Sequence, residues 1–195
     1  TVTEPLDAGL LGYWKLDEGA GTTVSDSSGN GNIGTLNGPV WNTGIIGSAL
    51  QFDGERSTKV QMQDSSLLNA ERSQITLAAW IQMATDGSGY PAILKKGYWD
   101  DDTAQPPQFS LHYRHETDSF GELTNSFGFE IVDTERHRLF YCAPAGESIE
   151  GQWTHVVATY DGTKLRVFMN GEEAGTGLDA YGFDIAGSAT YLQIG

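Results

Sequence analysis

Cysteine occurs once in 195 residues, as Cys142, so no disulfide can close within the chain. Basic side chains are scarce as well: 11 Lys and Arg stand against 26 Asp and Glu, a formal charge of −15 at neutral pH. A field of that sign repels nucleic-acid phosphates and anionic lipid headgroups, which argues against nucleic-acid binding. No apolar run approaches the roughly 20 residues that span a bilayer, which argues against membrane insertion. No signal peptide is visible in the sequence, but Thr1 is not a start methionine, so it reads as a mature or excised piece of a multidomain chain. Cys142 lies in HRLFYC, on an expected strand, and reads as a small half-buried apolar residue. No neighbouring group in the sequence would activate it as a nucleophile.

What the chain does have is glycine, 25 residues of it, with 11% aromatics and 38% hydrophobic residues, the profile of many short strands joined by turns. Residues 1–9 carry no pattern and read as a lead-in. Residues 10–195 suit one all-β domain. The clearest stretch is WTHVVATYDGTKLRVFMNGEEAG, residues 153–175. A β-branched and aromatic run ends at Asp161-Gly162. An alternating run follows, with Leu165, Val167 and Met169 on one face and Lys164, Arg166 and Phe168 on the other. It ends at Asn170-Gly171. Two turn dipeptides bracketing a period-two run predict a three-strand meander. Further strands are expected at 11–17 (LGYWKLD), 49–54, 58–62, 74–83, 92–96, 109–115, 127–133, 137–142 and 190–194, with one helical turn near Ser65. The run QITLAAWIQM at 74–83 is apolar on nearly both faces, which predicts a central strand with Trp80 in the core. Residues 18–32, EGAGTTVSDSSGNGN, are expected to be loop throughout.

The W-x-H-V strand, Y-D-G turn and N-G turn of residues 153–171 resemble the laminin-G-like branch of concanavalin A-like domains. So does the pairing of YWKLDEGAGTT with DSSGNGN and ALQFDG near the start. The resemblance implies a two-sheet antiparallel jelly-roll sandwich. It also implies export to a secreted or cell-surface location. Members of this kind continue past the L-x-I-G strand into one resembling I-D-E-V-R-I-Y, beside the first strand. The chain as given stops at Gly195 without it, so it reads as a fragment, as a domain whose edge a partner supplies, or as one that tolerates the loss; an unpaired edge would invite association.

Candidate chemistry is sparse. Related glucanases carry E-x-D-x-E on one strand face. Here Glu130, Asp133 and Glu135 have the wrong spacing, since Glu130 and Asp133 are three apart and face opposite ways, and the pair reads as two exposed acids at a strand end. His112 and His115 are split by the same parity, and His155 reads as a hydrogen-bonded histidine under an aromatic. The basic residues show no grouping that would make a lyase site. Calcium has better support. Asp26, Asn30 and Asn32 in DSSGNGN offer hard oxygen donors at short spacing, and the resemblance adds Asp53 of FDG. The alternative is an Asx-turn loop held by its own side-chain-to-backbone bonds. A second loop, GYWDDDTAQPPQ, places Tyr98 and Trp99 beside Asp100, Asp101 and Asp102. Aromatic faces stack on sugar rings and carboxylates bond hydroxyls, so the loop is a candidate glycan site. A solvated acidic loop anchored by Trp99 is the alternative.

The expectation is therefore a non-catalytic carbohydrate-binding module, stabilised by Ca2+, that takes a polysaccharide or glycan. The alternative is a structural or adhesive domain of the same fold that takes a protein ligand and has no sugar site.

Overall fold

The computed structural model describes residues 9–55, 57–84, 91–97, 108–117, 123–146 and 149–195. Among them lie fifteen strands and one short helix. The strands are β1 (Thr23–Val24), β2 (Gly34–Asn37), β3 (Val40–Thr43), β4 (Ser48–Gln51), β5 (Lys59–Met62), β6 (Ile75–Gln82), β7 (Ala92–Lys96) and β8 (Phe109–Thr117). They continue as β9 (Leu123–Val132), β10 (Arg138–Pro144), β11 (Trp153–Tyr160), β12 (Lys164–Met169), β13 (Glu172–Glu173), β14 (Leu178–Asp179) and β15 (Leu192–Ile194). The helix α1 (Ser66–Asn69) is the single turn expected near Ser65, whose hydroxyl accepts from the Leu68 N–H as its N-cap.

The strands form an eight-stranded antiparallel sheet in the order β1-β2-β5-β15-β7-β8-β9-β10 and a smaller sheet, β13-β12-β11-β6, with β14 also on β12; β3 and β4 form a separate ribbon. Two antiparallel sheets packed face to face, with almost no helix, make the expected jelly-roll sandwich. Alternation builds the core. Phe109, Leu111 and Tyr113 on β8 and Phe127, Phe129 and Ile131 on β9 point inward. They meet Val156, Ala158 and Tyr160 of β11 and Leu165 and Val167 of β12. Every second residue of these strands is therefore left for an outer face.

The meander β11-β12-β13 forms as its turns predict. Asn170 and Gly171 both take positive φ, 50° and 89°, as a tight hairpin of this hand requires. At the other turn only Gly162 does. Asp161 instead closes an Asx turn, its Oδ1 accepting the N–H groups of Thr163 and Lys164.

Four expectations are corrected. Residues 11–17 are not a strand; Trp14 makes one isolated bridge to Asp26, and Leu11, Trp14 and Leu16 pack on the core without a ladder. Residues 18–32 are not all loop, since β1 lies among them and its Val24 is fully buried. The run at 74–83 is an edge strand: among the described residues β6 ladders only to β11. Its Trp80 is 50% exposed on the outer face of the small sheet, with its ring 5.0 Å from that of His155. The uncharged, two-sided apolar pattern that suggests a central strand here belongs to a strand whose second edge meets no other strand among the described residues.

Candidate ligand-binding site

Residues paired in register across antiparallel strands share a face, so one row of side chains can be followed across the large sheet. From Thr35 on β2 it runs to Gln61, Gln193, Lys95, Ser110, Glu130 and Phe140, one residue per strand, all on the side away from the core. Every member but the last is polar. The next row pairs His112 of β8 with Gly128 of β9 and Cys142 of β10, and Arg138 lies opposite Val132.

Side chains on β8, β9 and β10 converge here. Glu130 is fully buried. The Arg138 Nε lies 2.5 Å from its Oε1, while Arg138 Nη2 and Ser110 Oγ donate to its Oε2 at 3.3 and 3.4 Å. Burial pushes the Glu130 pKa up to about 7, against the opposing pull of Arg138 and Ser110. The guanidinium carbons of Arg138 and Arg114 lie 4.9 and 5.1 Å from the centre of the Phe140 ring, within cation–π range. The His112 imidazole lies parallel to that ring, 5.6 Å away and inclined by 5°. Its room comes from Gly128, where a Cβ would stand 2.2 Å from His112 Nε2. Burial, then the charges of Arg114 and Arg138, push the His112 pKa down to about 4, so the ring is neutral near pH 7. Lys95, Ser110, His112, Arg114, Arg138 and Phe140 thus share the outer face of the large sheet, with Gln193 in register beside Lys95. The Gln193 amide is 2% exposed and its Nε2 finds no hydrogen-bond partner in the structure.

Several readings change in consequence. Glu130 is not an exposed acid but a buried one. Asp133 takes a separate task, capping the β9–β10 turn by accepting the N–H groups of Glu135 and His137, with His137 Nδ1 2.9 Å from its Oδ2. Glu135 is exposed. The basic residues are grouped after all, with Lys95, Arg114 and Arg138 on one face. Cys142 is exposed rather than half-buried, and Arg114 Nη1 approaches its Sγ at 3.0 Å. His155 packs against Trp80 of the neighbouring strand, with the two rings inclined by 38°.

The expected calcium loop is well ordered by hydrogen bonds. Asp26 Oδ1 accepts from the N–H groups of Tyr13 and Ser28, and its Oδ2 accepts from that of Asn32. Partial burial works to raise the Asp26 pKa. The hydrogen bonds from the Ser28 side chain and the Tyr13, Ser28 and Asn32 backbone outweigh it and hold the carboxyl below its ordinary range. Asn30 and Asn32 donate their amides to the carbonyls of Leu10 and Leu11, and Asn32 Oδ1 accepts from Ser65 Oγ. Asp53 forms its own turn with Glu55, and the hydrogen bond from Thr58, then that from Glu55, keeps its pKa low. A calcium shell needs six to eight oxygens. These side chains present themselves as a latch on residues 10–13, and a cation taking their oxygens would have to displace those bonds. Tyr98, Trp99, Asp100, Asp101 and Asp102 lie outside the described residues.

Residues 53–195 match the laminin-G family Laminin_G_3, described as the concanavalin A-like lectin/glucanases superfamily. The chain belongs to that family. Over 135 residues, 69% of its length, this laminin-G domain is 28% identical to pappalysin-1 of Mus musculus, and the shared stretch makes up 8% of that protein. The chain thus spans a small fraction of this relative. Among solved structures, the domain resembles the binding domain of Paraclostridial Mosquitocidal Protein 1, with a TM-score of 0.65 and 11% identity over 97% of this chain and 48% of that one. It also resembles domain 4 of AbnA, an extracellular arabinanase from Geobacillus stearothermophilus, solved in complex with arabinotriose. There the TM-score is 0.56, with 19% identity over 88% of this chain and 77% of that one. At these identities the likeness establishes the fold, not the ligand.

Among the described residues, no helix is long and apolar enough to cross a membrane.

Proposed function

We propose that this laminin-G domain is a non-catalytic carbohydrate-binding module of a larger secreted or cell-surface protein, and that its saccharide lies on the polar face of the large sheet. The observation that carries the reading is the set of planar polar side chains, Arg114, Arg138 and His112, held around the Phe140 ring on the outer face of the large sheet. Saccharides are recognised by a few fixed polar groups on an apolar support, and rigid strands hold such groups better than loops do. The arabinotriose complex of the arabinanase domain is a fold-level precedent. The non-catalytic part is supported by the carboxylates: hydrolysis of a glycosidic bond ordinarily uses two flanking acids, whereas Glu130 is fully buried and Asp133 is committed to a turn.

A binding screen over immobilised polysaccharides, run with calcium and with chelator, tests this. Retention of the domain on at least one glycan, lost in a His112→Ala, Phe140→Ala double variant that keeps its far-ultraviolet spectrum, is the expected result. Absence of retention under both conditions sinks it. A structural calcium at Asp26, Asn30, Asn32 and Asp53 is a separable proposal, tested by whether calcium raises the melting temperature above that in chelator.

One observation favours the adhesive alternative. The outer edge of β6 is an eight-residue, uncharged strand with Trp80 exposed beside it, a surface suited to taking on another extended chain. Concentration-dependent self-association, abolished by Thr76→Lys, would favour that reading.

A further inference from the structure

We propose that Lys96 and Asn69 form a self-modification site, at which the lysine amine attacks the side-chain amide of Asn69 and closes an isopeptide bond between β7 and α1, releasing ammonia. This chemistry is independent of the saccharide reading.

Three observations carry it. The first is a buried charge without a counter-ion. Lys96 ends β7 and is wholly buried. Its Nζ donates to Asn69 Oδ1 at 2.8 Å and to the Thr190 carbonyl at 2.5 Å, both uncharged oxygens, and among the described residues no carboxylate forms an ion pair with it. A buried ammonium held only by neutral groups is costly. A secondary amide at the same place carries no charge, so the reaction removes that cost and sends the proton into solvent with the departing ammonia.

The second observation is placement. A carbonyl bond is about 1.23 Å long, so Asn69 Cγ lies within about 4 Å of the amine. Reaction needs about 3 to 3.5 Å and approach to the face of the amide, which rotation about the Asn69 Cβ–Cγ bond supplies. Both partners are fixed. Lys96 is in register with Phe109 on one side and Leu192 on the other, while the Asn69 N–H donates to Ser65 and its carbonyl accepts from Ser188. The third observation is Gln108, which is 1% exposed. Its backbone N–H donates to the Lys96 carbonyl and its Nε2 donates to the carbonyl of Ala70, next to Asn69, yet its Oε1 has no partner. The orphaned acceptor is at the junction of the two reacting residues, where the new bond would bring an amide N–H.

The step needs no co-reactant. Burial, aided by the charge of Arg72 and opposed by that of Asp64, pushes the Lys96 pKa down to about 8, so about a tenth of the amine is neutral near pH 7. The Nζ lone pair forms the bond to Cγ, the Cγ–Nδ2 bond breaks, and a proton passes from Nζ to Nδ2 as ammonia leaves. The product closes a loop that the single cysteine of the chain cannot close as a disulfide.

The test is intact mass spectrometry of the whole chain, fresh and after warm incubation at mildly alkaline pH, followed by digestion and fragment mapping. The expected result is a mass lower than the sequence requires by one ammonia, with a branched peptide joining the Lys96 side chain to residue 69. Lys96→Met, which keeps the shape without the charge, and Asn69→Ala should each remove the branched peptide. Asn69→Asp should restore it with loss of water in place of ammonia. An unchanged mass after incubation overturns the proposal. So does a loss of ammonia without the branched peptide, mapped to a backbone succinimide at Asn37-Gly38 or Asn170-Gly171.

Discussion

The two sheets solve the problem of an outer surface in opposite ways. On the large sheet, β7, β8 and β9 each have a partner on both sides, and their outward residues are polar, close-set and mutually bonded, down to a buried carboxylate. On the small sheet, β6 is laddered on one side only among the described residues, and its own outward side chains, Thr76, Ala78, Trp80 and Gln82, carry no charge. Surrounded strands can hold costly side chains in fixed positions, and those are the means of recognition. A bare edge offers main-chain groups to any extended chain, which gives adhesion without much choice. The difference teaches where selectivity can be built in this molecule.

Hydrogen exchange gives the widest separation between the two regions. Alternate amides of β6 point away from β11 and should exchange orders of magnitude faster than the amides of β9, which is laddered to both β8 and β10. Equal protection would mean that the β6 edge is covered in solution and that the contrast is false.

Charge removal on the large sheet comes next. Arg138→Ala leaves Glu130 buried with its main partner gone. The cost should reach about 3 kcal/mol above pH 7, the low end for breaking a buried pair because Arg138 is half exposed. Glu130 has a folded-state pKa near 7, raised above its unfolded value near 4.5. The folded state therefore binds more protons in that window. This contribution to stability is fully present below about pH 4.5 and is lost as pH rises through 7. Arg138→Ala should accordingly be milder at pH 5 than at pH 8, and Glu130→Gln should flatten the fall in stability between pH 4.5 and 7. Denaturant melts of the three proteins across that range check both statements; a slope unchanged in Glu130→Gln would remove Glu130 as its source.

A smaller effect is expected at the Asp26 loop, which belongs to neither outer face. Asp26→Ala removes the acceptor of three backbone N–H groups and should cost about 2 kcal/mol. If the loop is a latch, the loss of melting temperature is the same in calcium and in chelator. A loss seen only with calcium would restore the ion to that loop.

Much of this fold was legible in the sequence because period-two runs and turn dipeptides are local signals. Asn170-Gly171 and the alternation of Leu165 and Val167 need no knowledge of the rest of the chain. The site was less legible. The strict alternation of FSLHYRH already puts Ser110, His112 and Arg114 on one face, and RLFYC does the same for Arg138, Phe140 and Cys142. What was missing was register, since only pairing places Glu130 beside Ser110 and opposite Phe140, and so turns an acid at a strand end into a buried partner of Arg138. For β6 the pattern misled for a physical reason. Apolar residues on both faces reflect what the strand touches above and below, and they say nothing about what lies along its edge. In residues 18–32, composition obscured β1, whose two residues are too few to show a period.

The most direct test of the large-sheet face as the ligand site is a two-dimensional nitrogen–proton titration of the labelled domain with an oligosaccharide of the glycan retained in the binding screen, followed at the arginine Nε–H and backbone signals. The account predicts that the Arg114 and Arg138 side chains and the amides around His112, Gly128 and Phe140 shift together and saturably, while those of β6 stay still. Shifts confined to β6 and its Trp80 indole would contradict it and place recognition on the open edge instead.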